Sequence, residues 1–345
     1  MTRYGVMVVG SGFGAQVHVP IVEKHPAFTV AGLIGQRPNS GFQEMSARLD
    51  VPYFHGLEEW LRSSKSADLL VVATPPTQHA EFVIGALKRG MRVLAEKPLA
   101  TNATEAAHLV MLAESLGLQG WTNFEFRMLE IRRKVVELLT SGDVIGRPLS
   151  FYWIQGGSGY SAYSSRPTGW VTERGMGGGY LGALGSHMLD YLLWLFGEVD
   201  TVQATEVIDV KERGDGENRA EDGFTVIMRF VSGVSGVIHY RAASRTGLGS
   251  VLEITGTDGG YRLINDKILY TFDQTGTLNE SLVEDGECQT KNLGYRCTEQ
   301  IYDLIAEELG GHSVGIPTLR DGWQVQRVLD AIRLSHETGI RCGVS

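Results

Sequence analysis

Three clusters of residues have the types and spacing to do chemistry. The first is Val9-Gly10-Ser11-Gly12-Phe13-Gly14-Ala15, which follows an apolar run and opens a helical pattern. It fits G-x-G-x-x-G/A, with Gly10, Gly12 and Ala15 at the three positions. Such a loop turns tightly at the first glycine, lets a pyrophosphate approach the backbone at the second and packs helix on strand at the third. The helix N-terminus adds N–H donors and partial positive charge, so Gly10, Ser11, Gly12, Phe13, Gly14 and Ala15 are candidate dinucleotide contacts. The next strand ends Leu33-Ile34-Gly35-Gln36-Arg37, with no acid to hold a ribose 2′-OH. A guanidinium there forms forked bonds to a 2′-phosphate, so Gln36 and Arg37 favour NADP over NAD, although a solvated turn arginine looks the same.

The second cluster is Ala95-Glu96-Lys97-Pro98-Leu99-Ala100, past another apolar run; Ala73-Thr74-Pro75-Pro76, with His79, ends the run before it. In an open parallel sheet, ligands sit beyond the carboxyl ends of the strands. Ala73, Thr74, Pro75, His79, Glu96 and Lys97 therefore join the cofactor candidates. A lysine at a strand end is commonly solvated, but Glu96 and Pro98 flank this one and can fix its amine. The third cluster runs from Gly175 to Asp190, with six glycines among residues 175–185, then Ser186, His187 and Asp190. The helix that follows is apolar on nearly every face, which makes His187 and Asp190 its conspicuous polar groups, and buried polar groups need partners. Ser186 is placed to cap this helix. A histidine at a helix N-terminus is favoured neutral, the state a proton acceptor needs. A satisfied core histidine is the plain alternative.

The elements that must position these clusters fall into two rhythms. Strand patterns at Tyr4–Val9, Phe28–Ile34, Asp68–Ala73, Arg92–Ala95 and Leu118–Thr122 alternate with helical ones near 14–24, 41–49, 78–89 and 102–116, the last started by Asn102 with Glu105 three residues on. The strands lack polar alternation, as strands buried on both faces do. A doubly wound parallel sheet follows over residues 1–122. From 123 to 345 a helix near 128–141, a strand at Leu149–Gln155 and the helix His187–Phe196 precede a run of strands. These are Thr201–Val207, Phe224–Phe230, Gly236–Arg241, Val251–Thr255 and Ile268–Phe272, followed by helices near 296–309 and 320–338. Strands grouped apart from helices predict an α+β domain with a mostly antiparallel sheet. The loop from Gly156 to Trp170 is expected to roof a pocket, with Trp170 as an apolar wall near the cofactor. The run Arg132-Arg133-Lys134 is expected to be a solvated helix face.

Composition bounds the function. The 345 residues carry a formal net charge of −9, which argues against a nucleic-acid partner. No apolar stretch reaches the ~18 residues of a membrane span, and no signal-peptide core follows Met1. Three scattered cysteines, Cys288, Cys297 and Cys342, make neither a disulfide framework nor a four-cysteine zinc site. The expectation is a cytoplasmic protein without a bound metal.

In this order and spacing the clusters resemble the Gfo/Idh/MocA oxidoreductases, the glucose–fructose oxidoreductase and inositol dehydrogenase family, over essentially the whole chain. The resemblance rests on the glycine loop with His18, the run Ala73 to His79, Glu96-Lys97-Pro98, Gly-Gly-Gly-x-Leu, His187-x-x-Asp190 and the late Glu253-Ile254-Thr255-Gly256-Thr257-Asp258-Gly259. It implies a Rossmann-type domain and hydride transfer between nicotinamide and a sugar, polyol or related substrate. It also implies a cis Lys97–Pro98 bond, and a homodimer or homotetramer formed through an open sheet. By position, Lys97 would bond the reacting oxygen and the cofactor ribose, and His187 would be the acid/base. One departure stands out: many relatives carry Asp four residues before the histidine, where this chain has Ala183. Lys97 and His187 then suffice, or Tyr160, Tyr163 or Tyr180 takes the vacant place; Tyr163 and Tyr180 are the candidate substrate contacts. The alternatives are a non-catalytic NAD(P)-binding sensor and a glycosidase-like relative that recycles its cofactor.

Overall fold

The computed structural model describes residues 3–35, 40–142, 144–157, 159–276, 278–281 and 293–344. The chain divides into two compact units, Met1–Glu125 with Gly294–Gln326, and Phe126–Leu293 with Arg327–Ser345. The sequence reading instead gives everything after residue 122 to one domain.

In the first unit, apolar runs become the strands β1 (Tyr4–Val9), β2 (Phe28–Gly35), β3 (Tyr53–His55), β4 (Leu69–Val72), β5 (Arg92–Ala95) and β6 (Gly120–Thr122), with helices α1 (Val19–Lys24), α2 (Ser40–Leu49), α3 (Gly56–Arg62), α4 (His79–Lys88) and α5 (Ala103–Ser115) between them. Among the described residues they form one parallel sheet of order β3-β2-β1-β4-β5-β6. Val6 to Val9 and Leu69 to Val72 are wholly buried, the cause of their unbroken apolar pattern. The strand order reverses between β1 and β4, so the carboxyl ends of these neighbours flank a topological switch point, the usual ligand crevice. Asn102 caps α5 by accepting from the Glu105 N–H at 2.9 Å, as the sequence predicts. β3 and α3 were not foreseen. β3 has three residues and buries only Phe54, and α3 buries only Trp60, too little for either period to register.

The second unit contains α6 (Glu130–Ser141), β7 (Pro148–Gly156), α7 (Tyr160–Ser164), α8 (Ser186–Phe196), β8 (Val199–Val207), the short hairpin β9 (Glu212–Arg213) and β10 (Gly216–Glu217), β11 (Gly223–Phe230), β12 (Ser235–Arg241), β13 (Gly249–Gly256), β14 (Gly260–Ile264), β15 (Ile268–Phe272) and β16 (Leu278–Ser281). The chain ends with α9 (Leu293–Leu309), α10 (Leu319–Thr338) and β17 (Cys342–Gly343). Among the described residues the large sheet has order β16-β15-β14-β13-β7-β12-β11-β8-β17, with β7 and β12 parallel and the other neighbours antiparallel. In β7, Phe151 and Trp153 are buried while Tyr152 and Ile154 are exposed, the period-two signature of a sheet covered on one face. The expected mostly antiparallel sheet is present.

Residues 294–326 belong to the first unit because α9 buries Ile301, Tyr302 and Ile305 and reaches back to the parallel sheet. Trp121 of β6 donates to Glu308 at 3.1 Å, and the Thr122 N–H donates to the Pro317 carbonyl at 3.0 Å. α10 gives its first turns to this unit and the rest to the second. Arg132 also departs from expectation: its side chain is 6% exposed, paired with both oxygens of Asp266 and set over the Tyr191 ring. Arg133 and Lys134 are exposed as expected.

Candidate active site

The glycine loop leaves β1 at the switch point. Gly10 has φ +112°, and a side chain there would run into the Ala73 carbonyl, so only glycine lets the β1 and β4 ends approach this closely. Gly12 is exposed, with no other atom within 4 Å of where a side chain would begin. That opening suits a phosphate laid against the backbone. The close-packed third position is Gly14, whose missing Cβ would lie 3.1 Å from Val8; Ala15 is half-buried. The helix expected over 14–24 starts as a π-turn, Gly14–His18, before α1. Phe13 is 39% exposed, edge-on to His18. Gln36 and Arg37 lie outside the described residues.

Beyond β4 and β5 the side chains are held by hydrogen bonds. His18, fully buried, faces Glu96 Oε1 through Nε2 at 3.0 Å and the Tyr302 hydroxyl through Nδ1 at 2.9 Å. A carboxylate only accepts, so Nε2 carries the proton and donates to Glu96. Asn123 donates to the same Glu96 oxygen at 2.7 Å, and the Lys97 N–H donates to Glu96 Oε2 at 3.4 Å. Burial alone would raise the Glu96 carboxyl. The hydrogen bond and charge of His18, then Lys97 and Asn123, outweigh it and hold the group below the ordinary carboxylate range. Lys97 is half-buried at the carboxyl end of β5, and the Lys97–Pro98 bond is cis. Thr74 is buried, with Ala73 and Pro75 half-buried beside it.

His79 departs from its expected place among the cofactor contacts. It has no exposed surface, and its ring sits between the Thr74 carbonyl at 2.8 Å and the Leu99 carbonyl at 3.2 Å. Burial pushes its pKa down against the pull of these two carbonyls, which only accept, and the ring links the β4 and β5 loops. Asn123 and Tyr302 escaped the sequence reading because they lie 27 and 206 residues from Glu96. A buried Glu96 required donors, but nothing in the spacing said which.

In the second unit the glycine run feeds a π-turn, Leu181–Gly185, that continues directly into α8. His187 is therefore not at a free helix N-terminus. Ser186 does not cap; its hydroxyl donates to the Gly182 carbonyl at 2.7 Å. His187 is 4% exposed, its ring 4.4 Å from that of Phe126. Asp190 accepts from Arg127 Nε at 2.8 Å and Nη2 at 2.6 Å, a bidentate pair that the sequence reading missed. Ala183 is half-buried within the π-turn.

The segment expected to roof a pocket carries α7 instead. Tyr163 is 4% exposed and packs on Tyr180 and under Arg213, and Tyr180 stacks on Tyr240. Burial, reinforced by Asp222, drives the Tyr163 phenol far above its ordinary value, which makes it a poor proton relay. Tyr160 and Tyr180 are half-buried, as is Trp170, whose carbonyl abuts Gly178. A surface cavity of about 570 Å³ at the β13–β14 turn, bordered by Asp258, Arg262 and Phe272, is lined by none of these residues. Cys288 lies outside the described residues, and Cys297 and Cys342 are free and buried. Among the described residues no group of three His, Cys, Asp or Glu is placed to hold a metal, and no helix is long and apolar enough to cross a membrane.

Residues 4–124 match the family model for the oxidoreductase family with an NAD-binding Rossmann fold, and residues 133–262 match the GFO/IDH/MocA C-terminal domain. An uncharacterized oxidoreductase of Synechocystis sp. is 33% identical over 272 residues, 76% of this chain and 72% of that protein. The trans-1,2-dihydrobenzene-1,2-diol dehydrogenase of Bos taurus is 28% identical, covering 76% and 74%. The solved structure of levoglucosan dehydrogenase in complex with NADH and levoglucosan shares the fold, with TM-score 0.85 and 22% identity over 100% of both chains. With both matched segments and the strand order in agreement, the chain belongs to the Gfo/Idh/MocA family of NAD-binding oxidoreductases.

Proposed function

We propose that this protein is an NAD(P)-dependent dehydrogenase or reductase acting on a sugar, polyol or related carbohydrate-like substrate, with Lys97 and His187 at the reacting oxygen. The observation that carries the reading lies in the first unit. An open glycine turn after β1 and a lysine after β5 sit at the carboxyl edge of one parallel sheet, on either side of β4. The residues fit a dinucleotide: Gly10 to Gly14 offer backbone to the pyrophosphate, and Thr74, Pro75, Glu96 and Lys97 line the strand ends beside it. When bound, the nicotinamide accepts or supplies the hydride at the substrate carbon. Lys97 Nζ donates a hydrogen bond to the substrate oxygen, and the bonded Glu96 fixes the backbone that presents it. His187 takes the hydroxyl proton in oxidation and returns it in reduction. With Ala183 in place of an acid and Tyr163 a poor relay, these two groups carry the proton chemistry.

Arg37 supports NADP as the preferred dinucleotide. The small carbohydrate-like substrate is suggested by the relatives, levoglucosan dehydrogenase among them. Assembly as a homodimer or homotetramer is supported by the open sheet face, where Tyr152 and Ile227 are 53% and 51% exposed. In the paired register these two residues flank Val237.

Reduced-nicotinamide absorbance, followed across sugars and polyols with NAD or NADP, tests the reading. Lys97→Ala is expected to lower kcat/KM by roughly 100-fold or more. Silence across the panel from wild-type protein that binds the dinucleotide would sink the dehydrogenase and favour the sensor or the cofactor-recycling hydrolase.

A further inference from the structure

Charged groups, two of them buried carboxylates, surround the turn that leads to His187, and the proton chemistry above uses none of them. Arg174 is ion-paired with Glu206 of β8, lies 3.9 Å from Glu221 and reaches Glu337 of α10 at 3.0 Å. Arg333 of α10 donates to the Gly178 carbonyl at 3.2 Å. The Glu206 and Glu221 side chains are 2% and 1% exposed. Glu221 Oε1 accepts the Leu181 N–H at 3.1 Å, and the Glu221 backbone carbonyl accepts the Tyr180 N–H at 2.9 Å. The same carboxylate fills the space beside Gly179, whose φ is +84°; a Cβ there would collide with Oε1.

Leu181 is the first residue of the π-turn, which runs without a break into α8. One glutamate thus holds two successive N–H groups where the segment bearing His187 begins. We propose that Glu221 is a positioning residue for His187, its carboxylate clamping the start of the π-turn and so fixing the imidazole six residues on. The assignment rests on the reading of His187 as the acid/base.

The charge on this clamp is itself poised to change. Burial and neighbouring Glu206 push the Glu221 carboxyl up to about 7, against the pull of Arg333 and of its own and the Leu181 N–H groups. The charged groups facing it are Glu206 from β8, Arg333 from α10 and Arg174 from the preceding loop. Asp222, the next residue in the chain, is engaged by the Asp209 and Val210 N–H groups at 2.8 Å each. An ionised acceptor bonds an N–H more strongly than a neutral one, so the clamp tightens as Glu221 loses its proton.

The test needs no substrate. Full-length protein labelled at histidine rings is titrated through the neutral range by NMR, with the His187 signal assigned through His187→Gln, and amide exchange is followed over residues 177–187. The wild-type His187 signal is expected to carry an inflection that disappears in Glu221→Gln. Exchange at Leu181 is expected to quicken about tenfold or more in Glu221→Ala, with most of the protection restored by Gln. A His187 titration unchanged by Glu221→Gln, or Leu181 exchange equal to wild type in both variants, would overturn the proposal. Should Glu221→Ala fail to fold, the Gln variant alone decides through the His187 signal. Because no turnover is read, this failure is distinguishable from silence in the substrate panel.

Discussion

Glu96 precedes Lys97 in the chain and Glu221 holds the turn that leads to His187, yet the surroundings of these two enclosed carboxylates drive them in opposite directions. Burial opposes charge at both. At Glu96 it is overcome by His18, Lys97 and Asn123, all of which favour the anion, so the carboxyl stays below its ordinary range. At Glu221 burial is reinforced by Glu206, and the carboxyl is raised to about 7 despite Arg333. The difference teaches that burial alone does not set the state of an acid; the sign comes from the first charges that face it. The two sites do different work as a result. Glu96 is a fixed anion that orders the lysine loop, whereas Glu221 is an acid whose charge responds near neutrality.

Variants can break or sharpen this contrast. A third buried carboxylate sets the upper end of the scale, because Asp190 is fully committed to Arg127. Asp190→Ala leaves that guanidinium buried without its bidentate partner, and a loss of about 3–5 kcal/mol is expected in denaturant unfolding. A loss below about 1 kcal/mol would mean that water takes the carboxylate's place. Glu96→Gln comes next, with an expected loss of about 1.5–3 kcal/mol at neutral pH, the cost of weakening charged hydrogen bonds. A depressed folded pKa contributes stability above the unfolded value that is lost as pH falls through the folded one. The gap between wild type and Glu96→Gln should therefore close in acid, below the ordinary carboxylate range. A gap that persists there would show the Glu96 network to be shape and not charge.

Glu221→Gln is expected to act with the opposite sign and the smallest size. Its folded pKa is raised, so the stability tied to its proton is complete below about 4.5 and is lost as pH rises through about 7. Gln mimics the protonated side chain. Relative to wild type it should gain about 1 kcal/mol between pH 5 and pH 8 unfolding measurements, part of the linkage being offset by weaker contacts to Arg333 and Arg174. Equal pH dependence in the two proteins would erase the distinction between the carboxylates.

Much of the site was legible because its signals are local. Gly10 and Gly12 announced a turn that needs missing side chains, and the structure puts a carbonyl against one and open space at the other. Lys97 was placed by the end of an apolar strand and the proline after it. Asn102 and Glu105 named the start of α5 three residues apart. What escaped depends on contacts between distant positions. His79 reads as a polar group at a strand end, and only the chain from Pro98 onward, folded back over it, makes it a buried clamp. Arg132 reads as one of three basic residues on an exposed helix face, until Asp266 and the Tyr191 ring enclose it. Ser186 has the composition of a cap, but the π-turn ahead of it supplies the preceding turn and removes the free N–H groups that a cap would satisfy.

By itself, then, the sequence determined the strand–helix alternation of the first sheet apart from β3 and α3, its parallel character, the glycine turn and the lysine loop. Each is a property of neighbours in the chain, set by steric permission, period and strand-end position. Only the tertiary structure decided which buried groups are paired: Tyr302 with His18, Arg127 with Asp190, Glu206 beside Glu221, and residues 294–326 with the first unit. The physical reason is that a side chain's charge and hydrogen bonds depend on what lies within a few ångströms in space, and the chain brings those partners from tens to hundreds of residues away.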